Sequence, residues 1–363
     1  MSLKNILRAA LAVSVLLGSN AFAAVEIYGR AHISLDSLDN GDEDGLNISS
    51  NSSRIGFRTE THIVEGLKGF VQLEQEIRFD NASGTFTTRD SFVGLNGRFG
   101  ETRLGYFDTP LKKIRSETDF FNDQIGDARN LTRLNQSTIT PAGPGGTPAA
   151  VTADFDTRFY NGIIYSTPAF AGFTLDLHHS TNNNSTNPGT TTASTNPPDD
   201  ESAANSIGIT YKAGDLYVSV ANEVQEGRND SEARRLGAKY LIGDLTLTGL
   251  VQQATLKPTT AAEYDLDTAG FGASYKLTDN TLIKAQIYNL SDDRDESDAS
   301  LTAIGADYSL SKQFRLLFAY AVTDNDDLAA YRVSGGGHGD SVAPIVAGED
   351  TTGVSAGIRY DFN

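Results

Sequence analysis

The sequence contains no cysteine and no tryptophan among its 363 residues. Without cysteine the chain can form no disulfide, thiol nucleophile or cysteine-ligated metal site, so hydrogen bonds and packing must stabilise the fold. Basic residues are also scarce, since 29 lysines and arginines stand against 47 aspartates and glutamates, for a net charge of −18. This balance argues against nucleic acid and against an anionic inner leaflet as partners.

Long hydrophobic runs are missing as well. After Ala24 no stretch reaches the roughly 18 apolar residues that a membrane-spanning helix needs. If the exported chain lies in a membrane, it therefore does not cross it as helices.

The beginning of the chain has the pattern of a secretory signal peptide. Lys4 and Arg8 precede an apolar run from Ala9 to Gly18, and Ala21-Phe22-Ala23 forms a cleavage site of small residues. Residues 1–23 are therefore predicted to be a signal peptide and residues 24–363 to form the exported protein. Removing the signal deletes two positive charges, which leaves 27 against 47 and a net charge of −20.

The dominant pattern in the rest of the chain is alternation. In the first segment Val25, Ile27, Ala31, Ile33 and Leu35 fall on one face, and Glu26, Arg30, His32, Ser34 and Asp36 on the other. Side chains of a strand alternate with period two, so this pattern predicts a strand with one apolar and one charged face. It recurs in about sixteen segments, each near the roughly ten residues of a tilted transmembrane strand.

Connections between these segments alternate in length. Short ones such as 213–215 and 242–244 take turns with long polar ones such as 40–52 and 324–350. A membrane barrel with short turns on one rim and long loops on the other has this rhythm and leaves no unpaired edge. A soluble sandwich is the alternative, but nothing in it would sort the loops in this way. The predicted fold class is all-β, a sixteen-stranded antiparallel transmembrane β-barrel.

Several motifs, taken in order, resemble the general porin family of the Gram-negative bacterial outer membrane. They are 25–30 (VEIYGR), 53–58 (SRIGFR), 66–74 (GLKGFVQLE), 89–95 (RDSFVGL) and 357–362 (GIRYDF). The resemblance implies a barrel that is usually a trimer and whose third long loop folds into the lumen. Family members usually end on an aromatic residue that the insertion machinery reads. Here Asn363 follows Phe362, a difference that bears on the efficiency of assembly rather than on the fold.

Residues 108–155 form the long segment in the position of the family's inward loop. Its apolar residues indicate that it packs against other parts of the protein; they are Leu111, Ile114, Phe120, Phe121 and Ile125. The resemblance places four acids of this loop at the narrowest point of the pore: Glu117, Asp119, Asp123 and Asp127. A solvated loop face is the alternative interpretation of these acids.

Arginines of the barrel wall are expected opposite this loop. Arg54 and Arg89 match the family's motifs, and Arg103 and Arg158 have the strand parity to join them. An arginine that faces lipid at the bilayer midplane costs about 2–4 kcal/mol, so these side chains should point inward. Acids on one side and guanidinium groups on the other would set up a transverse field that favours polar over apolar solutes.

Together these features predict an outer-membrane porin, a water-filled channel for passive diffusion of small polar solutes and ions. The overall charge and the acidic loops 39–44, 292–298 and 324–327 predict a weak preference for cations. A substrate-specific channel is the alternative, with inward tyrosines as stacking positions for sugars: Tyr28, Tyr160, Tyr217 and Tyr288. A surface adhesin is a third reading of the Thr/Asn-rich stretch 181–198, which lacks an apolar anchor for binding.

Catalysis, cofactors and a specific metal site are not expected. The five histidines lie in no H-E-x-x-H motif and the chain has no G-x-S-x-G motif. The acidic loops could bind Ca²⁺ or Mg²⁺, but none has the spacing of a calcium loop. The expected partners are membrane lipids, lipopolysaccharide, small hydrophilic solutes and ions, and two further copies of the chain in a homotrimer.

Overall fold

A computed structural model describes residues 24–80, 89–134, 153–182, 203–226, 230–257, 262–340, 342 and 347–363. The predicted signal peptide and most of the Thr/Asn-rich stretch lie outside the described residues. The structure is dominated by strands. They are β1 (Glu26–Asp39), β2 (Asp44–Ser50), β3 (Arg54–Val64), β4 (Leu67–Glu76), β5 (Ser91–Gly97), β6 (Gly100–Tyr106), β7 (Tyr160–Ser166), β8 (Phe173–Asn182), β9 (Ala204–Ala213), β10 (Leu216–Gln225), β11 (Ser231–Ile242), β12 (Leu245–Leu256), β13 (Tyr264–Lys276), β14 (Thr281–Asp292), β15 (Ala299–Ser309), β16 (Phe314–Asn325) and β17 (Thr352–Phe362).

The strands form one closed antiparallel sheet. From β3 onward each strand pairs with the next along the chain, and β17 pairs back onto β1 from Gly29↔Phe362 to Asp39↔Thr352. Both β2 and β3 pair with β1, so they are two halves of a single interrupted strand. The seventeen segments therefore make sixteen barrel strands, as the sequence predicts.

The interruption between β2 and β3 is held by side chains. At residues 51–53 the wall loses its regular pairing, and the backbone N–H of His32 donates instead to Ser53 Oγ at 2.9 Å. Residues 40–52 were expected to be one long loop, which is wrong for 44–50. There the apolar Leu46 and Ile48 alternate with the polar Asn47 and Ser49, which is the period-two pattern of a strand, and the segment pairs with β1.

The two faces of the sheet differ as the alternation predicts. In β14, Ile283 and Ile287 are each 43% exposed on the outside, whereas Lys284, Gln286 and Tyr288 are buried on the inside.

The short turns are tight because glycine supplies a left-handed backbone, with φ of +56° at Gly214 and +61° at Gly243.

The described parts of the connection between β6 and β7, residues 107–134 and 153–159, pack against the inner face of the wall. They contain helix α1 (Pro110–Thr118) and the short helix α2 (Arg129–Thr132). Thr109 caps α1, since its hydroxyl oxygen accepts from the backbone N–H of Lys112 at 3.2 Å. Ile114 of α1 lies over Gly237 of β11, where a Cβ would come within 2.4 Å of the isoleucine side chain. In the described part of the chain, no helix has the length and apolar character to span a membrane.

Candidate functional site

A buried cluster of charges fixes the β6–β7 loop inside the barrel. Arg115 of α1 binds three carboxylates, those of Asp119 (3.1 Å), Asp127 (3.1 Å) and Asp156 (3.2 Å). Arg235 of β11 shares Asp156 at 3.1 Å and so ties the loop to the wall. Burial lowers the pKa of Arg115, but the three carboxylates outweigh it and hold that pKa well above its usual value. Asp119 and Asp127, two of the predicted constriction acids, thus lie inside the loop and bind its own arginine.

Asp123 is the predicted acid that meets the arginines of the wall. Its carboxylate lies 3.1 Å from Arg30 Nη1 and 3.8 Å from Arg54 Nη2. Burial raises the pKa of Asp123, but the charges of Arg54, Arg30 and Arg89 lower it by more than burial raises it. The pKa of Asp123 is therefore below its ordinary value. Asp123 is therefore ionised and forms ion pairs with arginines of the wall.

Three of the four predicted wall arginines lie near this point. Arg89 and Arg54 share the carboxylate of Glu74, at 2.7 and 3.7 Å. Arg158 binds Asp90 and, at 2.9 Å, Asp108.

The fourth, Arg103, does not join them. It pairs with Glu101 at 2.5 Å and its guanidinium lies 4.7 Å above the ring of Phe92. Because β6 follows the tight turn at 97–100, Arg103 sits toward the short-turn rim rather than beside the inward loop.

The sequence interpretation missed three further arginines. Arg30, Arg315 and Arg359 surround Asp361, at 3.0, 2.8 and 2.9 Å. They come from the first strand and the last two, and the first strand meets the last only when the barrel closes. All three arginines have inward parity, so the closing register of the alternating strands brings them together.

A lysine adds to the positive charge of this region. Lys112 of α1 is buried, and its Nζ lies 2.9 Å from Asp108 Oδ1. Burial and the neighbouring Arg158 lower the pKa of Lys112 to about 7, against the opposing pull of Asp108. Its charge therefore changes within the neutral pH range.

Glu117 lies on another side of α1. Its carboxylate binds two lysines of the wall that α1 packs against, Lys239 at 2.5 Å and Lys212 at 3.8 Å. The structure thus separates the four predicted acids: Asp123 faces the arginines, Glu117 faces lysines, and the other two stay within the loop.

The loop between β16 and β17 is called here the last loop (326–351), and its described residues 326–340 fold inward. The carbonyl of its Val333 accepts from the backbone N–H of Gly126 at 2.7 Å and from the side chain of Asn130 at 3.2 Å. At Gly337 a Cβ would come within 2.1 Å of Asp123 Oδ1. Its His338 reaches the wall, with Nε2 3.1 Å from Asp36 Oδ2. The last loop therefore packs on the inward loop beside Asp123. The sequence analysis treated 324–350 only as a long polar connection on one rim and did not predict this contact.

The inward tyrosines are buried or already bound to other residues of the protein. Tyr288 and Tyr217 are only 1% and 6% exposed. The hydroxyl of Tyr28 donates to Glu74 at 3.1 Å, and Tyr160 stacks on Tyr106 with ring centres 5.2 Å apart. Within the described ranges, no three or more His, Asp or Glu side chains are arranged to hold a metal ion.

Comparison with known proteins gives consistent matches. A family model described as Gram-negative porin matches residues 9–328. The chain is 30% identical over 333 residues to outer membrane porin protein 32 of Delftia acidovorans, covering 88% of this chain and 87% of the relative. Among solved structures it is similar to the anion-selective porin from Comamonas acidovorans, with a TM-score of 0.78 and 26% identity over 94% of this chain and all of that one (100%).

A more distant structure shares the fold alone. The trimer form of OmpT from Vibrio cholerae superposes with a TM-score of 0.68 at 17% identity, covering 94% of this chain and 99% of that one.

Proposed function

The chain belongs to the family of Gram-negative porins, and on that premise we propose that it is a general diffusion channel whose constriction favours anions. An outer-membrane location and a channel function follow from the family. Porins are channels rather than enzymes, which agrees with the expectation from the sequence. The solute range and the sign of the selectivity are the proposed parts.

The proposal is based on the surplus of positive charge at the constriction. Six arginines and Lys112 form two neighbouring sets of ion pairs with five carboxylates. Arg158 and Lys112 balance Asp90 and Asp108, so the surplus of two positive charges belongs to the set around Asp123 and Asp361. The cations are Arg30, Arg54, Arg89, Arg158, Arg315, Arg359 and Lys112, and the anions are Glu74, Asp90, Asp108, Asp123 and Asp361. The side chains of the six arginines are between 12% and 30% exposed, so water and ions can reach them.

This local surplus opposes the net charge of the chain. The value of −18 predicted a cation preference, but many of the acids lie in loops such as 292–298 and 324–327. Salt screens exposed charges over about 8 Å at physiological ionic strength, whereas charges in a narrow, low-dielectric passage are screened much less. The charges that line the constriction therefore dominate what passes through it, and we replace the cation preference with an anion preference. The similarity to a porin described as anion-selective supports this choice.

A homotrimer is the proposed assembly. It is supported by the resemblance to the trimer form of OmpT, of which this chain covers 99%. Lipids and lipopolysaccharide are the proposed surroundings of the exposed apolar face.

Uptake of three sugars of equal size tests the proposal. Proteoliposomes containing the refolded chain are given labelled gluconate, glucose or glucosamine in excess potassium chloride. We expect gluconate to enter faster than glucosamine, and the rate of glucose entry to rise linearly with concentration. Faster entry of glucosamine would reject the anion preference, and saturation by glucose would instead favour a sugar-specific channel.

A further inference from the structure

We propose that a pocket between α1 and the wall, on the short-turn side of the loop, binds small carboxylate anions. The proposal rests on the proposed channel function and names a class of solute for it. The cavity has a volume of about 420 Å³ and is lined by residues of α1 and of β8 to β10, among them Lys113, Glu117, Asp176, Lys212 and Tyr217. It is distinct from the arginine cluster around Asp123 and Asp361.

The carboxylate of Glu117 already makes the contacts that we propose for a solute carboxylate. The two oxygens of Glu117 bind different ammonium groups: Oε2 lies 2.5 Å from Lys239 Nζ and Oε1 lies 3.8 Å from Lys212 Nζ. These lysines come from two strands, β9 and β11, that both flank β10. The geometry is therefore that of a carboxylate held between two ammonium groups.

The ring of Tyr217 brings the two ammonium groups together. It lies on β10, between the two lysine-bearing strands, and is buried. Lys212 Nζ is 5.2 Å and Lys239 Nζ 5.8 Å from the ring centre, within the range of cation–π attraction.

Cations around the pocket balance the carboxylates of its lining. Lys113 contributes a third ammonium, 3.5 Å from Asp176. With Lys239, which binds Glu117 from outside the cavity lining, three lysines stand against the carboxylates of Glu117 and Asp176, a surplus of one positive charge around the pocket. Asp108 also lines the pocket, but Lys112 and Arg158 each bind it at 2.9 Å.

The charged side chains of the pocket are exposed, so a solute anion can replace Glu117 as the partner of a lysine. The side chains of Lys212 and Lys113 are 64% and 40% exposed, and that of Glu117 is 37% exposed. Exposed ion pairs of this kind contribute only about 0–1 kcal/mol, so a solute carboxylate can displace Glu117 from either lysine. Ammonium groups act as flexible point charges rather than rigid forks, so the pocket should accept carboxylates of different shapes with low affinity.

Succinate block of single channels tests the pocket. The full refolded chain is inserted in planar bilayers at low potassium chloride concentration, and the chloride current is measured as succinate is added. For the unaltered chain we expect a saturable decrease. Lys212→Gln and Lys239→Gln should each weaken the apparent affinity about threefold, and Glu117→Gln should strengthen it about threefold because it removes the competing carboxylate. The matched control is Lys276→Gln, since Lys276 pairs with Asp279 outside the pocket.

The opposite response to the lysine and glutamate substitutions is what separates a binding site from a structural contact. Loss of the Glu117 salt bridges by any of the three substitutions would affect a merely structural role in the same direction. The proposal is overturned if succinate causes no saturable block, or if Glu117→Gln does not raise the affinity. A chloride-preferring channel that ignores succinate rejects the pocket alone, whereas a potassium-preferring channel rejects the proposed function.

Discussion

Replacing Arg235 by methionine tests whether buried charges hold the inward loop. The guanidinium donates to both oxygens of Asp156, at 3.1 and 3.2 Å, and to the backbone carbonyls of Leu111 (3.2 Å) and Thr132 (3.3 Å). Methionine keeps much of the apolar volume but donates no hydrogen bond. Asp156 would then retain Arg115, at 3.2 Å, as its ion-pair partner.

The expected effect is large because the site is buried. Removing one partner of a buried ion pair costs about 3–5 kcal/mol when the other charge is left unpaired, and because Arg115 stays beside Asp156 we expect the lower end of this range, about 3 kcal/mol. This corresponds to a shift of roughly a hundredfold or more in the equilibrium between docked and undocked loop. The neighbouring Arg234 supplies a matched control, since its side chain is 66% exposed and pairs with Glu232 at 3.3 Å. Arg234→Met should change stability by no more than about 0.5 kcal/mol.

Single-channel recording in planar bilayers reads out the state of the loop. We expect Arg235→Met to give a larger and noisier conductance than Arg234→Met, while both variants keep the heat-modifiable gel mobility of a folded barrel. The barrel itself should persist because the ladder between β11 and its neighbours does not depend on this side chain. Equal conductance and noise in two folded variants would refute the role assigned to Arg235.

Three further predictions concern the constriction. Asp123→Asn removes the carboxylate that faces Arg30 and Arg54 and should raise the chloride-to-potassium permeability ratio about two- to threefold, measured from zero-current potentials; an unchanged ratio would contradict the assignment. Lys112, with a pKa of about 7, is protonated below that pH. Raising the pH from about 6 to about 8 should therefore reduce the chloride preference, and Lys112→Met should abolish this dependence. Gly337→Val would place side-chain atoms against Asp123, displace the last loop and raise the conductance, whereas Gly45→Val, at a position with open space, should not.

The barrel could be predicted because one physical constraint acts on almost every residue. Each strand must turn apolar side chains to lipid and polar ones to water, so the alternation at Val25–Asp36 recurs along the whole chain. The same parity sends Arg54 and Arg89 inward. It does not, however, say which charges meet across the lumen.

The inward loop was harder to predict because its charges pair within it. The sequence shows four acids at 117, 119, 123 and 127 but not that Arg115 lies between two of them. That pairing depends on the path of the chain after α1. The inward fold of the last loop was hidden for a related reason, since its polar backbone is satisfied by partners distant in sequence, such as Asn130 and Gly126.

The zero-current potential across a bilayer with unequal potassium chloride concentrations tests the central claim most directly. The account holds that seven cations and five carboxylates at the constriction decide the selectivity, against the net charge of −18. The sign of the potential should therefore be that of a chloride-preferring channel. A potential of the sign set by potassium would contradict the account.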